Sequence, residues 1–278
     1  MTIDHFIESA LQEDIGSGDH TSLSTIPENA IGKAHLLVKQ EGIAAGIELA
    51  KTIFLKVDPA LKVDLVGKDG QIIHPGDVLL YVEGSSRSIL QAERLVLNCT
   101  QRMSGIATLT ASYVSQLHGL KTRLLDTRKT TPLFRMMEKW AVKTGGGENH
   151  RFGLFDMIMI KDNHVDYAGG IAKAIEKAVA YNKLNNLSLK IEVETRNLDE
   201  VSQVLDTGNV DRIMLDNFTP ELLEQAIQLI DGRYETEASG GINIDNIRQY
   251  ALTGVDFISC GALTHSAKNI DLSLKAVH

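Results

Sequence analysis

Cysteine is almost absent from this chain: Cys99 and Cys260 are the only two in 278 residues. They stand too far apart to suggest a disulfide framework and are too few for a thiolate zinc site, so both are expected to be buried structural thiols. No H-E-x-x-H motif and no Cys/His set with zinc spacing occurs. Long apolar runs are missing as well: nothing approaches the roughly eighteen unbroken apolar residues of a membrane span. The opening MTIDHFIESALQEDIGSGDH has acids where a signal peptide needs a basic region followed by an apolar run, and transit peptides are acid-poor, so the cytoplasm is the expected location. A basic excess is also lacking. The net charge of −8 argues against a nucleic-acid surface. Against that acidic background the local basic clusters in LLDTRKTTP and ENHRFGL stand out.

With 43% hydrophobic and 23% charged residues, the composition is that of a globular protein large enough for one big domain or two ordinary ones. From about residue 120 onward, runs rich in aliphatic and β-branched residues recur: LKTRLLDT, FDMIMIKDN, LSLKIEVET, VDRIMLDNF, YETEASGG and VDFISCGAL. The stretches between them, such as IAKAIEKAVAYNKL and TPELLEQAIQLIDG, have helical periodicity. Gly208, Gly232 and Gly254 sit at expected helix C-termini, and Pro220 falls in an expected first turn. This βα rhythm implies parallel strands covered by helices, and it fits either a barrel or an open doubly wound sheet.

The first hundred residues read differently. GKAHLLVKQEGIAAG and LKVDLVGKDGQIIHPGDVLLYVEG alternate like strands broken by glycine turns, and QAERLVLNCTQRMSGIATLTASYVSQL reads as one long helix. A separate α+β domain is the natural inference. GDVLLYVEG has the pattern of small β modules that carry biotin or lipoyl groups, but no lysine stands at a hairpin tip.

Nearly every barrel-type strand ends in polar residues. These are Asp126 to Lys129, Lys161 to His164, Glu192 and Glu194, Asp216 and Asn217, Ser239 to Gly241, and Gly261 to Ser266. Strand ends converge on one rim in a parallel barrel, and barrel active sites lie there. Arg128 and Lys129 read alone as a solvated loop; with His150, Arg151 and Lys161 they form a cationic set that wants anions. The three glycines of GGGENHRFGL suit a loop that approaches a ligand closely, although such a run is often only a flexible connection. SGGIN and CGAL occupy the last two βα loops, the usual barrel phosphate site. Glu194 and Asp216 have the chemistry to bind Mg²⁺ or, equally, to pair with the pocket's cations.

In this order, DTRKTTP, GGGENHRFGLFDMIMIKDNH, EVET, MLDN, EASGGIN and ISCGALTHS resemble the quinolinate phosphoribosyltransferase family, and LQEDIGSGDHTS and NCTQRMSGIAT extend the likeness over nearly the whole chain. The resemblance implies an α/β fold with an N-terminal α+β sandwich domain (1–110), an α/β barrel with an incomplete strand set (111–266), and a tail (267–278) packed back on the first domain. It implies transfer of phosphoribose from phosphoribosyl pyrophosphate to quinolinate, with loss of pyrophosphate and CO₂, in de novo NAD synthesis. Mg²⁺ and a homodimer with interfacial sites belong to the same expectation. Carried over by motif, Arg128, His150 and Arg151 hold the quinolinate carboxylates, with Arg102 donated by the partner subunit, and Thr127 is a further substrate-binding residue. Lys129 and Lys161 lie between the two substrates. Glu194 and Asp216 meet the ribose hydroxyls and the metal, while Ser239, Gly240, Gly241 and Gly261 cradle the 5′-phosphate near His265. One departure is visible: the family pattern has Gly after TTP where this chain has Leu133, so the turn there is expected to differ in shape. The runner-up is a paralogue acting on another pyridine or aromatic acid, as in molybdenum-locus proteins. A barrel aldolase or isomerase using Lys161, and a catalytically silent binding protein, are more distant rivals.

Overall fold

A computed structural model describes residues 2–277 of the chain, so position 278 of the tail lies outside the described residues. In chain order the elements begin α1 (Ile3–Ile15), α2 (His20–Thr25), β1 (Ile31–Val38), β2 (Gly42–Ile43), α3 (Ile47–Val57), β3 (Lys62–Leu65), β4 (Ile72–Ile73), β5 (Val78–Ser85) and α4 (Ser86–Gln116). There follow β6 (Arg123–Leu125), α5 (Arg135–Thr144), β7 (Ile158–Ile160), α6 (Asp162–Ala168), α7 (Ile171–Leu184), β8 (Ile191–Thr195), α8 (Leu198–Thr207) and β9 (Arg212–Asp216). The last are α9 (Pro220–Ile230), β10 (Glu235–Ser239), α10 (Ile247–Leu252), β11 (Phe257–Ser259), α11 (Ala262–His265) and β12 (Leu272–Ala276). Contacts group the chain into two compact units: Met1–Ala111 with Thr130–Gly146 and Leu263–His278, and Ser112–Lys129 with Gly147–Ala262.

The first unit holds an antiparallel sheet in the order β12-β1-β5-β3. Strand alternation buries Ala34, Leu36 and Val38 along one face of β1, and α3 supplies buried Ile47, Ala50, Ile53 and Phe54 at helical spacing. Two backbone features bear on the expectations above. Gly145 packs against α4: a Cβ there would come within 2.4 Å of the Ala107 carbonyl oxygen. Close helix packing, rather than approach to a ligand, therefore requires glycine at the head of the GGGENHRFGL loop. Leu133 takes φ 63°, the left-handed region that glycine favours, at a cost of about 1–2 kcal/mol for an L-residue. Its side chain is exposed, so packing does not offset that strain.

In the second unit six parallel strands pair in the order β6-β11-β10-β9-β8-β7. Every strand from β7 to β11 neighbours its successor, and the last then returns to pair with the first. That order is cyclic with one seam, between β6 and β7: an α/β barrel with an incomplete strand set. Glu148 lies against β6, accepting from the Asp126 N–H and donating to the Leu124 carbonyl. The helices begin where their caps dictate. Thr219 Oγ1 accepts the Leu222 N–H ahead of Pro220 in α9, and Asn197 Oδ1 accepts the Glu200 N–H in α8.

Strand alternation sorts the barrel residues unusually. Ile191, Val193, Ile213, Leu215, Ala238 and Ile258 occupy one phase of the pleat, whereas Glu192, Glu194, Arg212, Asp216, Glu235, Glu237 and Ser239 occupy the other. Barrel interiors are ordinarily filled by branched aliphatics. Here charged groups take many of those places, and several are fully buried.

Candidate active site

Because the six strands are parallel, their C-terminal ends share one rim. It carries Thr127, Arg128 and Lys129 after β6, Lys161 after β7, Glu194 on β8, Asp216 on β9, Ser239 to Gly241 at β10 and Gly261 after β11. On this rim Lys161 Nζ makes a direct ion pair with Glu194 Oε2, so the reading in which the acids meet the pocket's own cations is realised at that pair. Asn217 Nδ2 donates to Asp216 Oδ2 at 2.6 Å. Burial and then the charge of Glu194 push the Asp216 carboxyl above its ordinary range, while Lys161 and Lys129 pull it back. Two acids and two lysines thus lie within electrostatic reach of one another.

The raised Asp216 value has a consequence for stability. An acid whose folded pKa exceeds its unfolded value disfavours the fold once it ionises: stability falls as pH rises from 3.8 through the folded value, and the penalty persists above it. Asp216→Asn is therefore expected to raise the Tm of the substrate-free protein at pH 7, with the gain shrinking as pH is lowered toward 4. Thermal unfolding at the two pH values measures this, and a lower Tm at pH 7 contradicts it.

Arg128 and Arg151 supply the cationic end. Burial, followed by the charge of Arg128, lowers the Arg151 pKa from its ordinary value, so the two half-buried guanidinium groups lie within electrostatic reach of each other. Arg151 Nη1 donates to the Met157 carbonyl at 3.3 Å. Like charges held this close favour an anion between them, and planar guanidinium suits carboxylates.

His150 sits directly beneath. Its backbone N–H donates to Asp126 Oδ1 at 2.9 Å, and its side chain is almost wholly buried. Nε2 faces Glu192 Oε2 at 3.0 Å and Glu237 Oε2 at 3.3 Å. Nδ1 accepts the backbone N–H of Arg151 at 2.6 Å. Burial opposes charging the ring, but the two carboxylates outweigh it and would carry the pKa up to about 9. Burial and the charge of Glu237 push Glu192 up to about 7, so ring and acid compete for one proton. The Arg151 amide decides between them. An N–H aimed at Nδ1 needs a lone pair there, so the ring is the Nε2–H tautomer, with Nε2 in close range of both acids.

The column continues downward. Arg212 donates from Nη1 to Glu237 Oε2 at 2.8 Å and from Nη2 to Glu235 Oε2 at 3.1 Å. His150, Glu192 and Glu237 have ligand atoms within 4.8 Å of one another, a spacing that would suit a metal ion. The guanidinium of Arg212 already neutralises Glu237, which makes the group an ion-pair cluster. Sequence reasoning missed Glu237 and Arg212; the signal was a charged residue at every second position of strands otherwise read as apolar.

At the opposite side of the rim, β10 runs into Gly240 (φ 91°) and Gly241 (φ 65°). A Cβ on Gly240 would lie 2.2 Å from Asn217 Oδ1 and 2.9 Å from the Asn217 nitrogen, whereas one on Gly241 would meet nothing within 4 Å. The loop is braced from behind and open in front. Asn246 Nδ2 holds the Gly241 carbonyl at 3.2 Å, and Asn217 N–H donates to the Ser239 carbonyl at 2.8 Å. Gly240→Ala is expected to destabilise the protein by about 1–3 kcal/mol through its positive φ and this collision, and a Tm equal to that of the wild type in thermal unfolding would contradict it.

Arg102 and His265 belong to the first unit. Arg102 lies in α4 and donates from Nε and Nη2 to Oε1 of the fully buried Glu138, from Nη1 to the Ala267 carbonyl at 2.8 Å, and from Nη2 to the Thr264 carbonyl. Glu138 in turn accepts from the Thr131 N–H and hydroxyl. His265 is exposed, with Nδ1 2.7 Å from Ser266 Oγ. Cys99 and Cys260 form no disulfide and are buried as expected, and burial pushes the Cys99 thiol up to about 12.

Models of the N-terminal and C-terminal domains of quinolinate phosphoribosyl transferase match residues 19–104 and 106–275 respectively. The chain belongs to this family. A quinolinate phosphoribosyltransferase (decarboxylating) from Nicotiana tabacum is 48% identical over 284 residues, covering 97% of this chain and 81% of the relative. A probable nicotinate-nucleotide pyrophosphorylase (carboxylating) from Bacillus subtilis is 43% identical over 263 residues, covering 94% and 89%. Among solved structures, the nicotinate-nucleotide pyrophosphorylase from Francisella tularensis superposes with a TM-score of 0.91 at 41% identity, covering 99% of this chain and 96% of its own. The family's two-domain α/β architecture is thus the one found here. Among the described residues no helix is long and apolar enough to cross a membrane.

Proposed function

We infer that this chain is a quinolinate phosphoribosyltransferase, converting quinolinate and phosphoribosyl pyrophosphate to nicotinate mononucleotide, pyrophosphate and CO₂ in NAD biosynthesis. The observation that carries the reading, beside family membership, is the rim itself: a paired-arginine anion site, an acid-and-lysine cluster and an open glycine loop at the C-terminal ends of one parallel barrel.

The division of labour follows charge. Loss of pyrophosphate builds positive charge at C1 of the ribose, which suits the carboxylates of Glu194 and Asp216; the departing phosphates gain negative charge, which suits Lys161 and Lys129. Lys161 is held on Glu194 in the free protein, so an incoming pyrophosphate group and the ribose would draw the two apart toward opposite partners. Arg128 and Arg151 hold the pyridine carboxylates so that the ring nitrogen faces C1. Attack by that nitrogen makes a pyridinium, the adjacent carboxylate leaves as CO₂ because the electron pair left behind lies beside a cationic nitrogen, and that ring carbon then takes up a proton from water. No protein nucleophile is needed; the residues orient and balance charge.

Glu194 and Asp216 also fit Mg²⁺, because the neighbouring charge that raises Asp216 is what a dication would relieve. Bound there with the pyrophosphate, the ion would supply charge neutralisation of the leaving group. We further read the protein as a homodimer, on the family pattern around Arg102, and as cytoplasmic, on two buried thiols that form no bridge.

Incubation with quinolinate, phosphoribosyl pyrophosphate and Mg²⁺, followed by mass detection of nicotinate mononucleotide, tests the reaction. Nicotinate in place of quinolinate is the paired control. Product from quinolinate alone is the expected result. Folded protein that binds phosphoribosyl pyrophosphate but turns over neither acid would move the substrate to another aromatic acid.

A further inference from the structure

We propose that Glu192, Glu237 and Arg212, inside the barrel, are positioning residues that set the Arg128–Arg151 carboxylate clamp through the His150 ring. The proposal rests on the reading of that clamp as the quinolinate site.

Stability alone does not account for the buried column. Glu192 and Glu237 are fully buried and Arg212 nearly so, and among the described residues neither oxygen of Glu192 meets a well-aligned donor. Burying such a set is costly, and exchanging buried ion networks for apolar residues of similar size is often neutral or stabilising. Val or Leu would be the ordinary occupants of inward barrel positions. A charged column kept at this cost needs another use.

Its geometry supplies one. Arg212 fixes Glu237 at 2.8 Å, and Glu237 and Glu192 together face His150 Nε2 at 3.3 and 3.0 Å. A ring whose Nε2 lies 3.0 and 3.3 Å from two acids carries its other nitrogen on the far side, and that nitrogen meets the Arg151 N–H at 2.6 Å. The column therefore dictates ring tautomer and orientation, and the ring dictates the backbone of the residue that carries the clamp. Arg151 needs such an anchor because Arg128 repels it, so in the free protein the two guanidinium groups would otherwise move apart. His150 also ties this anchor to β6 through its own N–H on Asp126, two residues before Arg128. His150 thus bears on the bases of both arginines, through its ring at Arg151 and through its backbone amide at Asp126.

The test replaces the column by aliphatic packing in the triple variant Glu192→Leu, Arg212→Met, Glu237→Leu, and compares the same changes in a His150→Ala background. Positioning predicts a Tm unchanged or raised, a KM for quinolinate increased roughly tenfold or more, and a KM for phosphoribosyl pyrophosphate within about twofold of wild type. In the His150→Ala background the added changes are expected to shift the quinolinate KM by less than about twofold, since no ring is left to orient. A quinolinate KM unmoved by the triple variant overturns the proposal, as does an equal shift in both backgrounds or an equal rise in both KM values. If the triple variant does not fold, Glu192→Leu alone leaves the Arg212–Glu237 pair intact and is judged by the same criteria. Wild-type protein inert toward quinolinate would defeat the substrate reading and this proposal together; an active wild type with an unmoved variant defeats the proposal alone.

Discussion

Arg128→Ala is expected to lower kcat/KM for quinolinate by roughly 10²–10³ while leaving thermal unfolding no earlier than in the wild type. The activity loss follows from removing one half-buried guanidinium from the proposed carboxylate clamp. Truncating one partner of a desolvated, hydrogen-bonded charge pair typically costs about 2–5 kcal/mol, because the other charge stays buried without it. Stability should move the other way. Arg128 is the like charge that depresses Arg151, so its removal relieves repulsion in the substrate-free protein. Steady-state kinetics with quinolinate varied at saturating phosphoribosyl pyrophosphate, together with a melting curve, reads both effects. Unchanged kcat/KM in a normally melting protein would take Arg128 out of the site. A large loss accompanied by a collapsed Tm would make its role structural.

Glu194→Gln is expected to reduce kcat on the order of 10²–10³, with quinolinate binding retained within about threefold. Gln keeps the shape and an acceptor oxygen but carries no charge, so it tests the carboxylate's effect on positive charge developing at the ribose. The arginine clamp lies on other strand ends, after β6 and ahead of β7, and is untouched. Lys161 loses its ion-pair partner in this variant. If Lys161 also meets the leaving pyrophosphate, freeing it would tighten phosphoribosyl pyrophosphate binding even as turnover falls. Calorimetric titration with each substrate separates the two effects from turnover. Wild-type kcat in Glu194→Gln would end the assigned role.

Much of the rim was legible because barrel strands deliver their ends to one place, so six polar strand ends read along the sequence become one pocket once the strands are parallel. The helix caps were equally legible. Thr219 and Pro220 start α9 by contacts no more than three residues apart, and Gly208 closes α8 by an N–H to Val204, four residues back. Other features were not legible because the deciding partner lies far away in sequence. Gly145 must be glycine because the Ala107 carbonyl is its neighbour. Leu133 occupies a left-handed turn despite its side chain, a strain imposed by the fold around it. His150 reads as another cation of the pocket, yet its ring is committed to Glu192, Glu237 and the Arg151 amide.

The sequence by itself determined the alternation of strands and helices, the polar character of the strand ends and, through its motifs, the family. These depend on side-chain periodicity and short-range chemistry, which act between residues a few positions apart. Tertiary structure alone decided that the sheet curls into a barrel, since the pairing of β11 with β6 joins Phe257 to Arg123 and no local preference specifies so distant a partner. It also decided which charges are buried. Glu192 and Glu237 become a pedestal for His150 only when β8 and β10 both pair with β9 and turn them to one buried face, where water no longer screens them and each must find a protein partner.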